Sequence, residues 1–241
     1  MRFVLKSTLM IVMVLSLCQC DIGLINGNGK ITTLDIPCNS FQSVSIGGNY
    51  NLELIPSKSE MVLIETDDNL FKYINVEVKG NTLHVNNVHH LKSSKGINIK
   101  VLYEQLTSIN SSGASKITHL EILHSPQIGI HVSGAGSVEL EAQTERITIN
   151  MTGAGVVKLA GEATYMDATI SGVGGLSAMD LITDQCSILV TGVGGATVFV
   201  KEKLEASITG IGGITYGGKP SMIEKKITGL GKIKQADESP S

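Results

Sequence analysis

Glu205 and Glu224 lie nineteen residues apart, at the same point of a repeating pattern, with Lys226 close by. On neighbouring rungs of an extended structure two such carboxylates would stand about 5 Å apart. Clustered carboxylates with a cation nearby are what acid–base work on an acidic polysaccharide, or a calcium site, requires. The rest of their column reads Ser108, Gly129, Thr148, Asp167 and Ser187, which describes a solvated surface better than a catalytic cluster. Asp180 and Asp184 fall on another side of the pattern. No catalytic residue is assigned on this basis.

Other chemistry-bearing residues are scattered. His89 and His90 are adjacent, and His119, His124 and His131 lie in neighbouring segments. None has the ligand spacing of a zinc site on one strand or helix, so surface histidines are expected, with no metal and no cofactor. Cys38 and Cys186 would survive removal of an N-terminal signal. An oxidising compartment would permit a bond between them. Cys186, however, falls in an apolar column, where a small buried hydrophobe is expected. The many Ser/Thr-Gly corners could suggest phosphate loops. No copy carries the GxxxxGK[ST] ending or a following helix, so the glycines are expected to be structural.

These residues are positioned by a repeat. Seven copies occur: SGASKI from Ser112, SGAGSV from Ser133, TGAGVV from Thr152, SGVGGL from Ser171, TGVGGA from Thr191, TGIGGI from Thr209 and TGLGKI from Thr228. The intervals are 21, 19, 19, 20, 18 and 19 residues. A fixed period near nineteen is the signature of a stacked architecture. With the Ser or Thr as position zero, apolar residues recur five, three and one before it. The middle column, for example, reads Ile109, Ile130, Ile149, Ala168, Ile188, Ala206 and Lys225. Alternation of this kind describes a strand with one buried face. The intervening residues, including Asn110, Asn150, Thr169 and Ser207, should face outward. Ala114, Ala135, Ala154, Val173, Val193, Ile211 and Leu230 continue as an apolar column after the corner, expected to be buried. Ile117 through Ile233 form the next.

The corner glycines are Gly113, Gly134, Gly153, Gly172, Gly192, Gly210 and Gly229. Glycine takes positive φ without steric cost, so a turn at each is expected. The hydroxyl before it can bond a neighbouring backbone group. One coil cannot bury a core alone, whereas stacked coils merge their apolar columns. Parallel strands joined by such crossovers are nearly always right-handed. The expected fold is all-β: a right-handed parallel β-helix of about nineteen residues per coil over 111–234, with an irregular β-rich part or cap over 41–110.

Within that first part, strands are expected at Phe41–Ile46, Tyr50–Ile55, Met61–Thr66, Ile74–Lys79, Thr82–Val88 and Ile97–Tyr103. A tight hairpin is expected at Gly80-Asn81, and a helical turn over Asp67–Tyr73. Residues 21–40 read as a tether and 235–241 as a disordered tail. Residues 1–20 read as a targeting segment, with Arg2 and Lys6 ahead of an apolar run too short to span a bilayer. That run ends in Leu-Cys-Gln-Cys, which resembles a bacterial lipoprotein signal. Cys20 is the expected lipidation site, with Cys18 as the alternative.

The segment FQSVSIGGNYNLELIP, then ETDDNLFKYINVEVKGNTLHV, then the SGAG and TGVGG repeats resembles the head GIN domain family of putative auto-transporter adhesins. The likeness spans roughly Phe41 to Ile233. It implies a β-helical fold and a cell-envelope location, and supplies no catalytic residues. The net charge of −3 argues against a nucleic-acid partner. Aromatics at 4% of the chain leave little for stacking sugars. The expected function is a non-catalytic, lipid-anchored binding scaffold of the envelope, on the outer membrane. Its partner would be a protein, a glycan or a second copy. The alternatives are a polysaccharide-active enzyme and a purely structural envelope protein.

Overall fold

The computed structural model describes residues 23–236. The expected signal segment, with Cys18 and Cys20, and the last five residues lie outside that range. A short strand β1 (Ile25–Asn26) is followed by β2 (Ile31–Pro37), β3 (Ser43–Gly47), β4 (Asn51–Pro56) and β5 (Met61–Asp67). A 3-10 turn over Asp68–Tyr73 leads into β6 (Ile74–Lys79), β7 (Thr82–Asn87), β8 (Leu91–Lys92) and β9 (Asn98–Tyr103). The repeats supply β10 (Ser108–Ser111), β11 (Lys116–Val132), β12 (Ser137–Met151), β13 (Val156–Ile170), β14 (Val173–Val190), β15 (Val193–Ile208), β16 (Ile211–Gly217), β17 (Met222–Ile227) and β18 (Leu230–Gln235).

From β10 onward every coil pairs in parallel with the next. The fold is the expected parallel β-helix. Strands β11 to β15 are long and bend with the coil. They are separated at the Ser/Thr-Gly corner, where backbone hydrogen bonds still tie each coil to the one before it, and the pairing shifts register at bulges between the corners. The three columns before the corner are buried in every coil from β11 to β15, as Ile128, Ile130 and Val132 illustrate, and exposed in the last, on β17.

The glycines owe their place to stacking, which corrects the expectation of positive φ. Among the described residues positive φ occurs at Gly29, Gly80, Gly96, Gly161 and Gly218, and at no corner glycine. Instead, each corner carbonyl points along the stack. Gly153 O accepts the Val173 N–H at 3.0 Å and lies 2.0 Å from where a Cβ on Gly172 would stand. The same distance recurs from Gly134 to Gly229. A second ladder two residues on behaves alike, with Gly174, Gly194 and Gly212 each within 2.1 Å of the preceding glycine's carbonyl. In the serine copies the hydroxyl also bonds the coil before, as Ser112 Oγ does to Ile46 O at 3.2 Å.

The apolar residue between the two glycines points outward, contrary to expectation. Val173, Val193, Ile211 and Leu230 are 61%, 49%, 52% and 74% exposed. Strict alternation continues through the corner. The inward positions there fall to glycines, buried Ser115 of the first copy aside, because the carbonyl of the preceding coil occupies the place of a Cβ.

The first part is both solenoid and cap. Strands β3 and β4 form a coil that pairs in parallel with β10 and β11 on one side and with β7 and β9 on the other. The first coil along the axis is therefore later in sequence than the second. Its outer edge is closed by antiparallel strands, β6 on β7 and β5 on β9, with β2 on β5. Such closure protects a sheet edge. The Gly80-Asn81 hairpin joins β6 to β7, with Lys79 opposite Thr82. Residues 25–37, expected as part of a tether, instead form β1, which pairs with β8, and β2.

Asp67 fastens this end. Its buried carboxylate accepts Gly29 N–H at 2.6 Å, Ser93 Oγ–H at 2.6 Å, and Ser94 N–H and Oγ–H at 2.9 Å each. Those bonds, led by that from Ser93, hold its carboxyl well below the usual carboxylate range despite burial.

Candidate functional site

The paired strands β2, β5, β9, β4 and β11 curl into one sheet whose outer face is concave. The hollow has a volume of about 720 Å³. Alternation along each strand sends one set of side chains into it: Thr33 from β2, Glu65 and the apolar Leu63 from β5, Asn98 and Lys100 from β9, Asn51 and Glu53 from β4, and Thr118 from β11. Their inward neighbours Ile64, Ile99, Val101, Leu52 and Leu54 are buried, which fixes the strands beneath. Asn51 Nδ2 donates to Asn98 Oδ1 at 3.0 Å, and Asn98 Nδ2 donates to Glu65 Oε1 at 3.2 Å. Lys100 Nζ stands 3.5 Å from Glu53 Oε2. The floor is thus a ladder of amides, carboxylates and an ammonium on adjacent strands. It offers donors and acceptors in two dimensions, which is the chemistry that holds a hydroxyl-rich ligand. Sequence spacing could not reveal it, since Asn51 meets Asn98 only through the interlaced coils.

Glu205 and Glu224 are brought together in register on β15 and β17. Glu205 Oε1 is paired with Lys203 Nζ at 2.5 Å. Arg146 Nη1 meets Asp167 Oδ2 of the adjacent coil at 2.7 Å, and its guanidinium lies 4.7 Å from the Tyr165 ring centre. The acidic column is therefore threaded by cations in the same face. Asp184 lies apart, paired with Lys201 at 2.7 Å. Asn110, Asn150, Thr169 and Ser207 line the outer face, half-buried between rungs. The glycines occupy the inside of the corner and present no ligand group.

The histidines are not brought together, and no group of three metal-ligating side chains occurs among the described residues. His89 packs edge-on to Tyr73, with ring centres 5.4 Å apart. His131 faces outward, 3.3 Å from Asn150. His119 departs from the expected surface position: it is 5% exposed. Its Nε2 meets Tyr103 Oη at 2.5 Å and its Nδ1 meets Glu121 O at 2.6 Å. Burial pushes its pKa down. Cys38 and Cys186, the two cysteines among the described residues, are free. Cys186 lies in the core, where burial, aided by the Asp167 carboxylate, pushes its thiol up to about 12. Among the described residues no helix is long and apolar enough to cross a membrane.

Comparison with known proteins agrees with this architecture. Residues 40–220 match the family described as "Putative auto-transporter adhesin, head GIN domain". A putative adhesin of Bacteroides fragilis is 26% identical, with 88% of this chain and 100% of that chain covered and a TM-score of 0.85. A putative lipid binding protein of Parabacteroides distasonis is 24% identical over 89% and 100% of the two chains, with a TM-score of 0.76. A putative adhesin of the same species is 22% identical over 89% and 100%, with a TM-score of 0.70. The last two share the fold alone. No curated protein matches the chain in sequence.

Proposed function

Since this chain belongs to the head GIN domain family of putative auto-transporter adhesins, we propose that it is a non-catalytic, adhesin-like protein of the outer membrane, held by a lipid on Cys20. Cys18 is the alternative acceptor. The hollow across β2, β5, β9, β4 and β11 carries the reading: it binds a polar, hydroxyl-rich glycan through Asn51, Asn98 and Glu65. The anchor rests on the Leu-Cys-Gln-Cys signal. It also fits the path of the chain, because β1 joins the coil at the capped end and lets the rod project away.

Two experiments test it. Metabolic labelling with a palmitate analogue should tag the protein, and a Cys20→Ala, Cys18→Ala double variant should be released unlabelled. A glycan array should give hits that Asn98→Ala weakens by about tenfold, the loss of a hydrogen bond or two. Hits unaffected by Asn98→Ala would remove the hollow from the proposal. The register of Glu205 with Glu224 supports a second reading, an enzyme on acidic polysaccharide. Turnover of uronic-acid polymers abolished by Glu205→Gln would establish it.

A further inference from the structure

The two ends of the rod differ. One is closed by antiparallel strands. At the other, β17 hydrogen-bonds only to β15 and β18 only to β16 among the described residues. All six residues of β17 are exposed. Its inward positions are Ile223, Lys225 and Ile227. The residues stacked beneath them are Leu204, Ala206 and Ile208, which are 0%, 3% and 0% exposed. Ile223 and Ile227, by contrast, are 42% and 45% exposed, so this rung of the core lacks its upper neighbour. Between them Lys225 reaches over the end, its Nζ 2.9 Å from Tyr216 Oη and 4.5 Å from the ring centre.

Charge narrows what can lie there. The last coil, from Gly218 to Ala236, carries Lys219, Lys225, Lys226, Lys232 and Lys234 against Glu224, and with Asp237 and Glu238, which follow it in the sequence, the five lysines still outnumber three carboxylates. The whole chain nevertheless has a net charge of −3. Among the described residues none of the five lysines is ion-paired with a carboxylate. Two such ends repel, which disfavours tail-to-tail pairing of two copies. Head-to-tail stacking would set β17 against a free edge of the cap, β2 or β6. Neither offers an acidic side chain flanked on the same face by two apolar ones. β6 alternates Ile74, Val76, Val78 with Asn75, Glu77, Lys79, and β2 alternates Thr32, Leu34, Ile36 with Ile31, Thr33, Asp35.

We propose that the open edge of β17 accepts a strand from a different protein, an extended acidic segment. Its inward face would read apolar, acidic, apolar at alternate positions. Strand addition of this kind takes affinity from the main-chain bonds and specificity from alternate side chains. The apolar pair covers Ile223 and Ile227. The carboxylate meets Lys225, which repels basic strands and would be left covered and unpaired by uncharged ones, and so selects among partners. The site lies at the far end of the rod from the glycan hollow and does not depend on it.

The test uses the purified chain and two seven-residue peptides, in which threonine alternates with isoleucine, glutamate, isoleucine or with isoleucine, lysine, isoleucine. Fluorescence anisotropy should show the glutamate peptide binding at least tenfold more tightly than the lysine peptide. Lys225→Glu should reverse that preference, and hydrogen exchange should slow at the β17 amides on binding. Binding that ignores the peptide's charge overturns the proposal, as does the absence of binding by either peptide. So does a dimer in light scattering, recruitment to anionic vesicles in place of the peptide, or β17 amides already protected in the free chain.

Discussion

Gly174 and Gly175 are neighbours in sequence with opposite surroundings. A Cβ on Gly174 would stand 2.1 Å from Gly155 O, and one on Gly175 meets nothing nearer than Gly195 O at 3.8 Å. Gly174→Ala should therefore destabilise by about 3 kcal/mol, the upper range for overpacking. Gly175→Ala should stay within about 1 kcal/mol of the parent. Urea midpoints of the two variants check this, and equal losses would mean that backbone conformation, not stacking, selects the glycines. Cys186 gives a second outcome at this scale. With its thiol pushed up to about 12 and its side chain in the core, it should resist neutral alkylating reagents until the protein is unfolded. Mass spectrometry with and without denaturant reads this directly. Cys186's burial was legible because it sits in a column of isoleucine, methionine and leucine. The outward turn of Val173 and Ile211 follows from alternation continued through the corner, where the residues one and three after the Ser or Thr face inward, although their hydrophobicity points the other way.

At the scale of elements, the repeats are readable because each strand's partner lies one period along the chain. The first part is not, since β3 pairs with β7 and β10 in different coils and no periodicity marks that order. Its strands, its helical turn over Asp68–Tyr73 and its Gly80-Asn81 hairpin are readable one by one, but the order in which they stack is not. The clamp at Asp67 and the buried Tyr103–His119 pair hold the elements of this part together, and both make stability depend on pH. Asp67 titrates lower in the folded chain than its ordinary value of about 3.9. Its contribution is present above that value and is lost as pH falls below it. Asp67→Asn should lower the melting temperature at pH 6 and flatten its decline toward pH 3. His119 must stay neutral to be buried, so its folded pKa lies below the ordinary value of about 6.5. The unfolded chain binds its proton first, and stability should fall as pH drops from about 6.5 toward the folded value. His119→Phe should remove that slope from melts recorded between pH 7 and pH 5.

Across the whole molecule, the rod has a closed end where the described chain begins and an open, basic end where it finishes. Its family was legible from the order of the three sequence segments. The hollow across β2, β5, β9, β4 and β11 and the bare terminal coil were not, because both arise from which strands lack or gain neighbours in space. The interlaced start also sets the order of assembly. As the chain is made, β3 and β4 appear before either coil that will flank them. Each repeat, by contrast, needs only the coil immediately before it, and contacts of short sequence separation form fastest. The repeats should therefore order first and template the β3–β4 coil, then β7 and β9, then the cap. Growth would run backward along the chain, with the segment nearest the proposed lipid the last to set. Pulse-labelled hydrogen exchange should protect amides of β12 to β14 before those of β2 and β5, and simultaneous protection would show that the solenoid instead forms as one unit.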